Sequence, residues 1–120
     1  MYEVNRSIVL VIPREPFWLW LKTLQEPGFS EYTLEDLQVD ANAYLIEPCE
    51  DIDEAWDQIE EQLEKVFSAE LADWSEDRST WPDLHPDIFA EWFDLQLSSI
   101  VTDLSGNKLD REAFVPFVLD

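Results

Sequence analysis

Glycine is scarce in this chain: two in 120 residues, at positions 28 and 106. That excludes the glycine-rich loops whose backbone amides cradle phosphates, and no Gly-x-Ser-x-Gly elbow is present to expose a nucleophilic serine. Cys49 is the single cysteine, so no disulfide forms within the chain, which fits a reducing compartment. One histidine, His85, and one cysteine fall short of the ligand set that zinc takes. No apolar run approaches the ~20 residues that span a bilayer. Ser7 to Ile12 is apolar but short, and Pro13 and Arg14 follow at once, so the start does not read as a secretory leader. A cytoplasmic location is the expectation.

Positive charge is also lacking. Seven Lys and Arg face 28 Asp and Glu, a formal charge of −21. Such a field repels nucleic acid and anionic lipid, and attracts cationic surfaces. Neither a nucleic acid nor a membrane is therefore expected as a partner, and no cofactor is implied. The imbalance is local: residues 31–104 hold 22 acids against Lys65 and Arg78. "EDIDEAWDQIEEQLEKVF", Glu50 to Phe67, alone holds eight acids and one cation.

What the chain has in quantity is apolar and aromatic side chains, 46% and 13% of residues, enough for a modest core rather than disorder. "SIVLVIP" (Ser7–Pro13) reads as a strand buried on both faces. "EPFWLWLKTL" sets Phe17, Trp20, Leu21 and Leu24 on one helix face behind Pro16. Thr33 with Asp36 predicts a capping box and a short helical turn. "AYLIEP" (Ala43–Pro48) reads as a second strand. From Ile52 the apolar positions Trp56, Ile59, Leu63, Val66 or Phe67, Leu71 and Trp74 alternate by four and three, predicting one amphipathic helix capped by Asp51. "PDIFAEWFDLQL" places Ile88, Phe89, Trp92, Phe93 and Gln96 at helical spacing, and "SSIVTDL" (Ser98–Leu104) reads as a third strand. The tail "AFVPFVL" (Ala113–Leu119) suits an edge strand or a packing arm, since Pro116 bars a central one. The expected fold class is α+β, a single small domain over residues 1–120. It has a core at about 7–104, a tail at 105–120, and a sheet of about three strands covered by three or four amphipathic helices.

Several acids on the long helix have no structural purpose. Asp51, Asp53 and Glu54 suit the positive end of the helix dipole, but Asp57/Glu61 and Glu60/Glu64 are like-charge pairs costing roughly 0.2–0.5 kcal/mol each. The oily stripe outweighs them, at ~1.5–3 kcal/mol per buried large side chain. Glu50, Glu54, Asp57, Glu60, Glu61 and Glu64 are therefore candidate partner-binding residues for a basic protein. Their ~5–6 Å spacing permits imitation of nucleic-acid phosphates. The alternative is that they are a solvated face that keeps a tryptophan-rich domain soluble. A second candidate site is an aromatic pocket formed by Trp74, Trp81, Trp92 and His85, suited to a small ligand or to catalysis. A third is weak divalent-metal binding along the acids. "DLSGNKLDREAF" (Asp103–Phe114) resembles a calcium loop at positions 1, 3 and 5, but carries Lys108 and Phe114 where glycine and glutamate are required, so no specific metal ligand is assigned. Cys49 sits among Glu47, Glu50 and Asp51, surroundings that blunt a thiolate, so a Cys49–His85 catalytic pair is not expected.

The stretches "SIVLVIPREPFWLWL", "TLEDLQVDANAYLIEP", "SAELADWSEDRSTWP" and "FAEWFDLQLSSIVTDL" together resemble a family of small acidic bacterial proteins of unknown function. The Trp81-Pro82 step and the Trp92-Phe93 pair are its most distinctive pieces. The resemblance implies a bacterial, cytoplasmic, compact domain of about this length. It assigns no residue a role.

Overall fold

The computed structural model describes residues 1–115. Five strands and five α-helices follow in the order β1 (Tyr2–Val4), β2 (Ser7–Pro13), α1 (Glu15–Thr23), α2 (Leu34–Val39), β3 (Asn42–Ile46), α3 (Ile52–Glu61), α4 (Leu63–Ala72), α5 (Pro86–Trp92), β4 (Phe93–Ser98) and β5 (Val101–Asp103). Single 3-10 turns precede α2 and α5. The fold is α+β, as expected.

β2 is the centre of an antiparallel sheet of order β3-β2-β4. The register aligns Val9 with Tyr44 and Leu97, and Val11 with Asn42 and Leu95. Alternation then places Ser7, Val9, Val11, Asn42, Tyr44, Ile46, Phe93 and Leu95 on one face. Every sheet residue of the hydrophobic core lies on that face: Val9, Val11, Ile46, Phe93 and Leu95. Ile8, Leu10 and Ile12 on the other face are only half-buried. The strand expected to be sealed on both sides is thus sealed on one, because the domain has two layers and not three.

β1 and β5 pair antiparallel in a separate two-stranded ribbon, Val4 opposite Val101. Four steps lead from Val4 to Ile8, but three from Ser98 to Val101, so the N-terminal strand carries one extra residue between the two ladders. Ser7 sits at this irregularity, fully buried. Its Oγ donates to Ser99 O at 3.0 Å and accepts from Cys49 N at 3.1 Å. One hydroxyl so ties β2, the β4–β5 link and the loop before α3.

Three sequence expectations need correction. The helix read through Gln96 stops at Trp92, and Phe93–Ser98 is a strand. There Phe93, Leu95 and Leu97 alternate with Asp94, Gln96 and Ser98, a period of two that overrides the helical match. The strand expected over Ser98–Leu104 is only its last part, Val101–Asp103. The single helix from Ile52 to Trp74 is two, broken at Gln62 (φ −119°, ψ 27°). The break turns α4 so that Leu63, Val66, Phe67, Ser68, Glu70 and Leu71 are all buried, while Ile52 at the start of α3 is 38% exposed. The tail expectation concerns residues mostly outside the described set, Pro116 included; Ala113–Val115 form no strand.

Other local readings hold. Thr33 and Asp36 make both bonds of the capping box, Asp36 N to Thr33 Oγ1 at 3.1 Å and Thr33 N to Asp36 Oδ2 at 2.9 Å. The Thr33 backbone N–H on the carboxylate, with the Thr33 side chain beside it, holds the Asp36 carboxyl below its ordinary range. Asp51 caps α3 through Glu54 N at 2.9 Å.

Candidate functional site

The acidic face is where the sequence puts it. Glu50, Glu54, Asp57, Glu60, Glu61 and Glu64 are all exposed, while Ala55, Ile59 and Leu63 from the same segment are buried. The Gln58 side chain clamps α3 to the end of β3, donating to Glu47 O and accepting from Glu47 N, both at 2.9 Å. Glu54 Oε2 accepts from Glu50 N at 3.1 Å; the other four acids accept no hydrogen bond among the described residues. The break at Gln62 places Glu64 on α4, so Glu60 and Glu64 are not neighbours on one continuous helix. The acidic row on α3 is about 15 Å long.

Neutralisation is nearly absent. Among the described residues the one contact of this kind is His85 Nδ1 to Asp87 Oδ2 at 3.8 Å, between residues two apart, and that nitrogen already accepts from Asp87 N. No Lys or Arg there comes within 4.0 Å of a carboxylate.

The four members of the candidate aromatic pocket have separate engagements. Trp92 packs in the core against Trp20, Phe17 and Phe67, with ring centroids 6.0–6.3 Å apart. Trp81 donates its indole N–H to Ser75 O at 2.8 Å and closes the loop before α5. His85 is the N-cap of α5, its Nδ1 accepting from Asp87 N at 3.1 Å, and its side chain is 54% exposed. Trp74 alone of the four lines the cavity described next. Cys49 is buried; burial and the Glu54 charge raise its pKa, and its backbone serves the Ser7 junction.

One cavity is built from residues that the sequence pattern left unread. It has a volume of about 300 Å³ and lies where α2, β3 and α4 meet. Pro13, Phe17 and Leu37 belong to its wall, with Tyr32 and Trp74 as further aromatic surfaces packed edge to face at 5.2 Å. Four acidic residues line it, Asp36, Asp40, Glu70 and Asp73, together with Asn42. Glu70 is 4% exposed. Its Oε2 accepts from Asn42 Nδ2 at 2.6 Å and from the Tyr44 hydroxyl at 2.8 Å. Burial pushes its pKa up to about 7, against these two bonds, with Asp73 adding to the rise. Burial and the Glu70 charge push Tyr44 upward as well, so it stays a hydroxyl donor. Among the described residues, no three His, Cys, Asp or Glu side chains are arranged to hold a metal ion.

No family model, no curated protein and no solved structure matches the chain.

Glu70 had a signal in the sequence. It follows Val66 by four and precedes Trp74 by four, so it is an acid in phase with the apolar stripe. Asn42 and Tyr44 alternate with Ala43 on β3, which gives them one common face once the strand is placed.

Proposed function

We propose that this protein is a non-enzymatic interaction domain whose acidic surface, from Glu47 to Glu64, binds a basic protein. One observation carries the reading: a chain of charge −21 leaves its carboxylates uncompensated by Lys or Arg among the described residues. Ala55 and Ile59 of α3 belong to the core, and the acids of the helix project from a clamped, short element. Folding gains nothing from them beyond the first turn. Uncompensated charge on a rigid element steers and selects an oppositely charged partner, at a cost in self-repulsion. Imitation of phosphates extends only as far as the three turns of α3.

The test is affinity capture from native lysate at about 50 mM and 500 mM salt, beside a variant with Asp57→Asn, Glu60→Gln, Glu61→Gln and Glu64→Gln. A basic protein held at low salt, released at high salt and missed by the variant supports the reading. Equal capture by both forms overturns it.

A further inference from the structure

We infer that the cavity between α2, β3 and α4 is a binding site for one organic cation, an alkylammonium group held by Glu70 and Asp73 against the rings of Tyr32 and Trp74. It is separate from the α3 face and stands or falls without it. The cavity, at about 300 Å³, is at the lower end of the ~300–1,000 Å³ of small-molecule sites. It fits a single alkyl chain with a charged head, and it is too small for a nucleotide.

Its lining selects among ligand classes. Four acidic residues and no Lys, Arg or His line it among the described residues, which rejects anions. A divalent ion needs several oxygens converging on one point, an arrangement absent among the described residues. An ammonium needs less, because aromatic faces and a few acceptors together replace its water. The deciding atom is Glu70 Oε1. Both donors, Asn42 and Tyr44, go to Oε2. Among the described residues none reaches Oε1, although the side chain is 96% removed from solvent. Ser68 Oγ is the sealed side-chain oxygen left unpaired among the described residues. Oε1 is not sealed, and its residue lines the cavity. A buried carboxylate oxygen without a donor, on a residue that lines a cavity with aromatic walls, is complementary to an N–H⁺ group.

Binding of a cation favours the ionised carboxylate, so occupancy and deprotonation of Glu70 are coupled. The groups around Glu70 are Tyr32, Asp36 and Asp40 on the α2 side, Asn42 and Tyr44 on β3, and Asp73 on α4. None of them is a cation, so a bound ammonium would be the one positive charge beside an ionised Glu70. That charge comes either from a free amine or from a lysine side chain of another protein.

The experiment is a calorimetric titration of the full chain with n-butylammonium chloride and with 1-butanol as the neutral counterpart. A blocked Gly-Lys-Gly peptide and its acetyl-lysine form give the macromolecular arm. The inference expects the ammonium to bind and the alcohol not to. It also expects about tenfold weaker binding in Glu70→Gln, and weaker binding in Asp73→Asn, whose exposed side chain is no threat to folding. In the wild type, affinity should rise about tenfold or more from pH 5.5 to 8, as Glu70 ionises. Binding of the peptide but not of the free amine assigns the site to a lysine side chain; the reverse assigns it to a metabolite-sized amine. Equal heats from ammonium and alcohol would overturn the inference. So would ammonium affinity that is unchanged in both Glu70→Gln and Asp73→Asn but falls in the four-acid α3 variant.

Discussion

Replacing Glu70 by glutamine should stabilise this protein, and by an amount that depends on pH. In the fold the carboxyl has risen from 4.5 to about 7. Below pH 4.5 both folded and unfolded chains keep the proton, and burial costs nothing extra. As pH rises past 4.5 the unfolded chain releases it first, and stability drains away until the folded carboxyl ionises near 7. At ~1.4 kcal/mol for each tenfold change, the full loss is about 3 kcal/mol. Glutamine carries no such loss. Its oxygen still accepts from Asn42 and Tyr44, and its amide group takes the place of Oε1. The isoelectric point near 4.1 makes very acidic solutions unsuitable, but the range from pH 5.5 to 8.5 suffices. Across it the gap between Glu70→Gln and the wild type should widen by ~2 kcal/mol. That is roughly 5–10 °C in Tm for a domain of this size. Thermal unfolding of the two proteins by circular dichroism, in matched buffers of constant ionic strength, measures it. The large net charge drives both curves in the same direction, so the difference isolates residue 70. Parallel curves would refute the account of Glu70 as a buried, proton-holding carboxyl.

Three further outcomes follow from other parts of the fold. Ser7→Ala removes the acceptor of Cys49 N–H and the donor to Ser99 O, and should cost ~1–3 kcal/mol in a urea titration; an unchanged midpoint would show that the junction carries no weight. Ser68→Ala deletes a buried hydroxyl that has no partner, and should raise stability by about 1 kcal/mol in the same assay. The four-acid variant of α3 should melt at or above the wild-type temperature, with the gap closing in 1 M salt as screening removes the repulsion; a lower Tm would mean that those acids support the architecture.

The fold class was legible because its main signals are local. Asp51, Thr33 with Asp36, and the β-branched run from Ser7 act within a few residues, and each element appears where those residues lie. Two causes lie behind the misread elements, and the first is competition between periods. Phe93 belongs both to the i, i+4 series of Phe89 and to the alternating series of Leu95 and Leu97, and only pairing with β2 decides between them. The regular stripe across Gln62 concealed the break, since the hydrophobic pattern is indifferent to one non-helical residue when both flanking helices bury the same side. The exposed acids were easy to find because charge is visible without a fold. The Glu70 cavity was not, because its parts come from positions 13 to 74 and meet only through the β2–β3 register and the packing of α2 over Pro13, where Gln38 Nε2 reaches the Pro13 carbonyl at 3.1 Å. His85 attracted notice for being alone of its kind, yet rarity is a property of composition, and here the imidazole serves as a helix cap.

Three indoles end on loop carbonyls: Trp18 on Tyr32 at 2.8 Å, Trp20 on Thr80 at 2.7 Å and Trp81 on Ser75 at 2.8 Å. Each therefore reads the detachment of its own connecting segment, Trp20 from within the core, while Trp92 packs against the core rings without such a tie among the described residues. Ultraviolet emission from this protein is then a composite of peripheral fraying and central melting. Single-tryptophan versions would separate the two, and would show which connection lets go first.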